Sequence, residues 1–441
     1  MKRIIVLIGM VFVFLACTGD FKEINTDKSG VTDEDLQADS NEHGIRLGII
    51  QQGIYFNYDY GKGKNWPFQL TQNLNADMFS GYMHDAKPLN GGSHNSAYNL
   101  QDGWNSAMWG HTYEYVFPQI YQSENATRDR MPAFFGITKI LKVEVMHRVT
   151  DYYGPIVYSH FADLEARYMP DTQKEVYNAF FCELDTAVAV LSDYIVEHPR
   201  ASEFARFDML LDGDYDSWIK FANSLRMRLA MRIAVASPEK AKTEFRKAMD
   251  NEYGVIREAD ESVAVSTASG YTNPLGEIKL VWNEAYMGAP MESILNGYED
   301  PRREIYFATC QNEQFAGEYR GIRQGTCFAH NYYNTLSKLK VTQQTDAVLM
   351  PAAEVWFLRA EAALRGWTDE SAKICYEEGV MASFRQYGIL QSDAYLESDL
   401  LPADFVDTYD MENDITARCQ VSTRRLESAD RATKLEMIIV R

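Results

Sequence analysis

The residue with the most committed chemistry in this chain is Cys17. Lys2 and Arg3 open the sequence, Ile4 to Ala16 follows without a polar side chain, and Phe14-Leu15-Ala16-Cys17 closes the run. A charged start, a short apolar core and a small residue before the cut make a secretory signal, and the core is short for a membrane span. A Cys directly after the cut is the lipid acceptor of bacterial lipoproteins, although Phe14 stands where leucine is usual. An ordinary secretory signal with an incidental Cys is the alternative. On the lipoprotein reading, residues 1–16 are the signal peptide. Residues 17–41, polar and acidic, are the lipid-anchored tether and lead-in.

The next residues capable of chemistry are aromatics and amides in two long stretches without helical period, 61–105 and 255–334. Tyr and Trp offer a flat apolar face with a polar edge, which suits sugar rings, and Asn or Arg can bond the hydroxyls. The first stretch supplies Tyr82, His84, Asn90, His94, Tyr98 and Trp104; the second supplies Trp282, Tyr286, Arg323, Tyr332 and Tyr333. With 27 Tyr, 22 Phe and 7 Trp in the chain, many aromatics must also serve the core, and each candidate has that second reading.

Other chemistries fit less well. No G-x-S-x-G, H-E-x-x-H or Walker A motif occurs. A glycosidase needs two nearby carboxylates, and no pair stands out by context among 63 acids. His84 and His94 lack a third metal ligand, and the cysteines lack C-x-x-C spacing, so neither metal nor cofactor is expected. Asp212-Gly213-Asp214-Tyr215-Asp216 has its Gly second and Asn223 at the twelfth place, which is not an EF-hand. Asp214 or Asp216 reads instead as the cap of the helix that follows. A hairpin centred on Glu318 and Tyr319 would bring Cys310 opposite Cys327, a geometry open to a disulfide in some registers. Cleavage after residue 16 would remove Lys2 and Arg3, taking the formal charge from −20 to −22. Such a surface repels nucleic acid and anionic headgroups.

The elements that must position these loops are helices. Phe134, Ile137, Leu141 and Val145 share a face, as do Val176, Phe180, Leu184, Ala187, Leu191 and Tyr194, and Trp218, Phe221, Leu225 and Leu229. Gly154-Pro155 after Asp151-Tyr152-Tyr153 stops a helix rather than marking an active-site Asp. Arg226, Arg228 and Arg232 read as structural, with acidic partners elsewhere. Ala353–Leu364 and Ser371–Gln386 form a helical hairpin around Gly366, and Ala360, Ala363 and Gly379 let its arms approach closely. Such hairpins are the unit of tetratricopeptide-type folds, although no 34-residue repeat is visible. Ala432, Leu435, Ile438 and Ile439 begin a last amphipathic helix. The expected fold is mainly α: tetratricopeptide-like helix pairs as scaffold, with a loop-rich irregular half carrying short strands.

Several phrases occur in order along this frame. They are Phe21-Lys22-Glu23-Ile24-Asn25, Thr150-Asp151-Tyr152-Tyr153-Gly154-Pro155-Ile156 and Trp218-Ile219-Lys220-Phe221-Ala222-Asn223-Ser224-Leu225-Arg226. Asn273-Pro274-Leu275, Gly297-Tyr298-Glu299-Asp300-Pro301-Arg302, Pro351-Ala352-Ala353-Glu354 and Arg359-Ala360-Glu361-Ala362 follow. With the lipobox, the set resembles the SusD/RagB family of nutrient-binding outer-membrane lipoproteins of Bacteroidetes. The resemblance implies that 42–441 is one SusD-like nutrient-binding domain, short at its C-terminus against the family. It implies an outer-membrane, cell-surface location through lipid on Cys17, and no enzymatic reaction. It also implies a SusC-type TonB-dependent transporter as partner, with the chain as a lid that delivers oligosaccharide. A peptide ligand, or a surface glycoside hydrolase, is the alternative.

Overall fold

The computed structural model describes residues 41–57, 66–89, 94–166, 168–326, 330–424 and 429–440. Cys17 and Asn90 lie outside them, as do the signal peptide and most of the tether. The longer helices are α1 (Asn41–Ile54), α2 (Phe117–Thr127), α3 (Pro132–Tyr153), α4 (Gln173–Glu197), α5 (Tyr215–Arg232) and α6 (Pro238–Met249). They continue with α7 (Pro274–Val281), α8 (Ala289–Gly297), α9 (Ala352–Leu364), α10 (Ala372–Gln386) and α11 (Arg431–Ile439). Four short strands accompany them: β1 (Met83–His84), β2 (Val263–Val265), β3 (Tyr286–Met287) and β4 (Ala347–Met350). The chain is mainly helical, with packed helix pairs of tetratricopeptide type, as expected. Among the described residues no helix is long and apolar enough to cross a membrane.

Local chemistry explains the scaffold. The Thr172 hydroxyl accepts from Glu175 N at 3.3 Å while Glu175 accepts from Thr172 N at 2.8 Å, a capping box that starts α4. Its stripe from Val176 to Leu191 is buried against α3. Pro132 opens α3, and Gly154 at φ 79° closes it. Asp151 is structural, since it accepts from the Tyr177 hydroxyl at 2.6 Å and pairs with Arg232. The α9–α10 hairpin turns at Gly366, and a Cβ on Gly379 would stand 2.7 Å from the Phe357 ring. Close approach there is thus against one aromatic side chain.

Helix α3 is central and buried on every side, so its charges need partners. Lys139 and Lys142 bond Glu124 and Glu183, at 2.5 to 3.1 Å. Glu144 lies 3.4 Å from Arg228, whose guanidinium also takes Glu354 at 2.6 Å. Arg226 pairs with Asp185 and Glu244. All three arginines of α5 are therefore structural.

Three expectations need correction. Neither Asp214 nor Asp216 caps α5 through its side chain. The Asp214 carboxylate takes the Ser217 hydroxyl instead. Asp208 organises the turn, accepting from Leu210 N, Leu211 N, Gly213 N and Trp218 Nε1 at 2.8 to 3.2 Å. The hairpin after Cys310 is tighter than expected: Cys310 N donates to Glu318 O at 2.8 Å, and the chain turns through Glu313–Phe315. Cys310 is a free, buried cysteine with Sγ 3.6 Å from Ser337 Oγ, and Cys327 lies outside the described residues. Finally, the two stretches without helical period contain short helices. A π-helix spans Gln69–Asp77, and α7 and α8 are 8 and 9 residues long. Asn273 starts α7 by accepting from Leu275 N at 3.0 Å, with Pro274 at its first position. Helices this short show too few turns for a period to register.

Candidate functional site

The two aromatic stretches meet through antiparallel β1 and β3, pairing Met83 with Met287 and His84 with Tyr286. Gly288 permits the contact: a Cβ there would lie 2.0 Å from Gly81 O. Gly288 N donates to Tyr82 O at 3.1 Å. Further along, Gly325 N donates to Ser96 O at 2.7 Å, and Gln324 Nε2 to Met83 O at 3.1 Å. Loops more than two hundred residues apart thereby form one face.

Four of the aromatic or histidine candidates sit beneath that face with no ring open to solvent. His84, His94, Tyr286 and Tyr333 are buried. Burial lowers the pKa of both His84 and His94 to about 4, so neither carries charge near neutral pH. Tyr286 donates to Asn334 O at 3.3 Å under the Lys338 ammonium, and Tyr333 donates to Asp407 Oδ2 at 2.6 Å. His84 and Tyr286, at a β-ladder position, and Tyr333, through its bond to Asp407, face inward beneath the surface. No cluster of three or more potential metal ligands occurs among the described residues.

The exposed candidates fall into three places. Tyr98 is 69 % exposed at the end of the Asn95–Ala97 turn, and a Cβ on Gly325 would touch its ring at 2.9 Å. Half-buried Arg323 is two residues from Gly325 and donates to Glu412 O at 3.2 Å. The loop reached in this way carries Tyr409, 59 % exposed, whose ring lies 5.2 Å from Tyr332 and 5.8 Å from Tyr333. The Tyr332 hydroxyl bonds Thr408. On the other side of Tyr98, Trp104 stands 6.5 Å from the His94 ring. Arg323 and the Tyr332–Tyr409 pair are thus joined through the 408–412 loop, Tyr98 packs on the Gly325 turn, and Trp104 is reached only through buried His94. Tyr82 turns elsewhere, into a cavity of about 350 Å³ beside Met291, Ile439 and Val440. Trp282 is likewise apart, at the end of α7, where its carbonyl takes Lys87.

Tyr409 and its loop were missed by sequence reasoning. Their signal was Asp407-Thr408-Tyr409-Asp410, an aspartate turn displaying an aromatic. Asp407 accepts from Tyr409 N at 2.9 Å, Asp410 N at 3.3 Å and Asn413 Nδ2 at 2.9 Å, besides Tyr333. So many donors make it a loop brace rather than a general base. A second acidic pair, Asp85 and Glu284, has both pKa values raised, first by burial, and is closed to a substrate. What the surface offers chemically is stacking faces around a guanidinium.

Comparison with known proteins agrees with this architecture. Residues 23–441 match the SusD-like family described as Susd and RagB outer membrane lipoprotein. A SusD homologue from Bacteroides vulgatus is 43 % identical, with TM-score 0.86 over 92 % of this chain and 82 % of its own. A chitin-binding SusD homologue from Flavobacterium johnsoniae is 38 % identical, with TM-score 0.85 over 90 % and 82 %. A SusD-like protein from Bacteroides thetaiotaomicron is 29 % identical, with TM-score 0.81 over 90 % and 81 %. Among curated proteins none matches. The ordered phrases, the paired helices and these likenesses agree: the chain belongs to the SusD/RagB family of outer-membrane lipoproteins.

Proposed function

We propose that this protein binds oligosaccharide at the cell surface through Trp104, Tyr98, Arg323, Tyr332 and Tyr409, and carries out no reaction on it. The observation that supports this is that hydrogen bonds and ring contacts tie the 94–98, 320–325 and 407–412 segments together while Tyr98 and Tyr409 stay more than half exposed. Sugar rings stack on exposed aromatic faces of this kind. The chitin-binding relative supports a β-linked N-acetylglucosamine chain as the first ligand to try. Lipid on Cys17 anchors the protein beside a SusC-type transporter barrel, over which it acts as a lid.

Affinity electrophoresis in gels containing glycol chitin tests the surface. Retardation of the wild type and its loss on combined Tyr98 and Tyr409 replacement is expected; equal retardation of the two would remove the surface from the role. Incubation with labelled chitooligosaccharides tests the absence of reaction, and new product ends would overturn it. Co-purification of a barrel transporter with the tagged lipoprotein tests the partner, and Cys17→Ser should abolish palmitate labelling.

A further inference from the structure

We propose a second binding site, separate from the loop surface, in the cleft between α2, α3, α4 and the loop leading into α4. Its ligand class is a single neutral, polyhydroxylated ring. The cleft holds about 510 Å³, inside the ~300–1,000 Å³ range of small-molecule sites. One wall is aromatic: Phe161 lies 4.5 Å from Phe117 and 6.0 Å, edge-on, from exposed Tyr121. The rest of the lining carries Glu124, Lys142, Glu183 and Tyr158, whose ring stacks 6.0 Å from Phe117.

The charges on that side balance. Lys142 donates to Glu124 Oε1 and Oε2 at 3.1 and 3.2 Å and to Glu183 Oε1 at 2.9 Å, using its three N–H groups. Lys139 takes both carboxylates from the other side. Two ammoniums against two carboxylates leave no net charge among these four groups, and Asp163, which also lines the cleft, already accepts from Glu165 N at 2.9 Å and Ala166 N at 3.2 Å. The carboxylates still have spare lone pairs, because each offers about four acceptor sites. They can accept from hydroxyls.

Tyr158 supplies the complementary group. It is 5 % exposed, and its hydroxyl, beside the Glu183 carboxylate, makes no hydrogen bond of good geometry. Burial, then the charges of Glu183 and Glu124, push its pKa well above the usual tyrosine value, so the hydroxyl stays protonated. A buried hydroxyl poorly paired is a standing cost that a bound ligand would relieve. The ring is held by Lys142 Nζ 4.7 Å above it, and the backbone by Tyr158 N donating to Asp171 at 3.0 Å. The cleft is therefore built before a ligand arrives. An apolar wall, a polar floor and one poorly paired hydroxyl are what a sugar ring needs.

The test is a ligand-observed NMR titration of the full-length chain with N-acetylglucosamine, glucose, inositol and the cationic glucosamine, each alone. Saturable binding of at least one neutral probe is expected, weakened about tenfold by Tyr158→Phe, the worth of one net hydrogen bond. That variant keeps the ring, so its unfolding midpoint should hold, and the same loss should appear when it is made in a Tyr98→Gly background. Equal affinity of wild type and Tyr158→Phe overturns the proposal, as does binding confined to glucosamine or to none of the probes. Loss in Tyr98→Gly alone assigns the sugar to the loop surface and also overturns it. The loop-surface reading can fail without touching this one, because the two sites share no residue.

Discussion

Replacing Tyr98 with glycine should separate binding from folding. Tyr98 has φ 56°, a left-handed conformation that costs a non-glycine residue about 1–2 kcal/mol. Glycine removes that cost but loses about 0.4–1 kcal/mol through the freer unfolded chain. The Tyr98 ring, 69 % exposed, buries roughly 60 Å² on folding, worth about 1.5 kcal/mol at ~25 cal/mol/Å². These contributions nearly cancel, so the unfolding free energy should stay within about 1 kcal/mol of wild type.

Binding has no such compensation. A pyranose face covering about 50 Å² of the ring contributes about 1.2 kcal/mol, or about eightfold in Kd. Adding Tyr409→Ala should bring the loss to about seventyfold if the rings act independently. Calorimetry with a chitin hexasaccharide measures Kd, and urea unfolding measures stability on the same preparations. Kd within twofold of wild type in the double variant, on a ligand the wild type binds, would refute the stacking argument. A stability loss above about 2 kcal/mol in Tyr98→Gly would refute the backbone half.

Three other outcomes follow from the scaffold. Gly288→Ala places a methyl against the Gly81 carbonyl, which is backbone and cannot swing aside; about 3 kcal/mol of stability should be lost in urea melts, and sugar binding with it. Arg228→Ala removes the guanidinium nearest buried Glu144 and should cost about 3–5 kcal/mol, whereas Arg206→Ala, at an exposed position, should cost under about 1. Burial raises the Glu144 pKa to about 7, with Arg228 opposing, so the folded chain holds that proton more tightly than the unfolded chain. Its contribution is therefore fully present below about 4.5 and is lost as pH rises to about 7, and Glu144→Gln should flatten the stability–pH profile across that window in denaturant titrations.

The scaffold was legible because long helices repeat their signal. Val176 to Tyr194 spans five turns, so the buried stripe is sampled several times before α4 ends. Gly154, Gly366 and the α5 arginines were readable for a related reason: turn chemistry and the need to pair buried charge act on few residues at once. Asp208 escaped because its four partners include Trp218, and a tryptophan N–H bonded ten residues upstream leaves no spacing to recognise. The Cys310 hairpin was misplaced because the Glu313–Phe315 turn, centred on Gln314, lies four residues before Glu318, which with Tyr319 looked like its tip.

At the candidate surface, residue type was readable but orientation was not. Tyr98 and Tyr333 look alike in sequence, yet one is open and the other donates inward to Asp407. The difference comes from a loop more than seventy residues away, and nothing within either tyrosine's own segment encodes it. That loop also explains why the surface can be both irregular and exact. Asp407 fixes Tyr409 from below while Arg323 ties Glu412 to the Tyr98 side, so the stacking rings are set by hydrogen bonds rather than by a helix face. A site assembled in this way should tolerate exchange of its rings, which are exposed, far better than loss of Asp407, which is buried. Ligand choice can then change through Tyr98 and Tyr409 while the braces beneath stay constant.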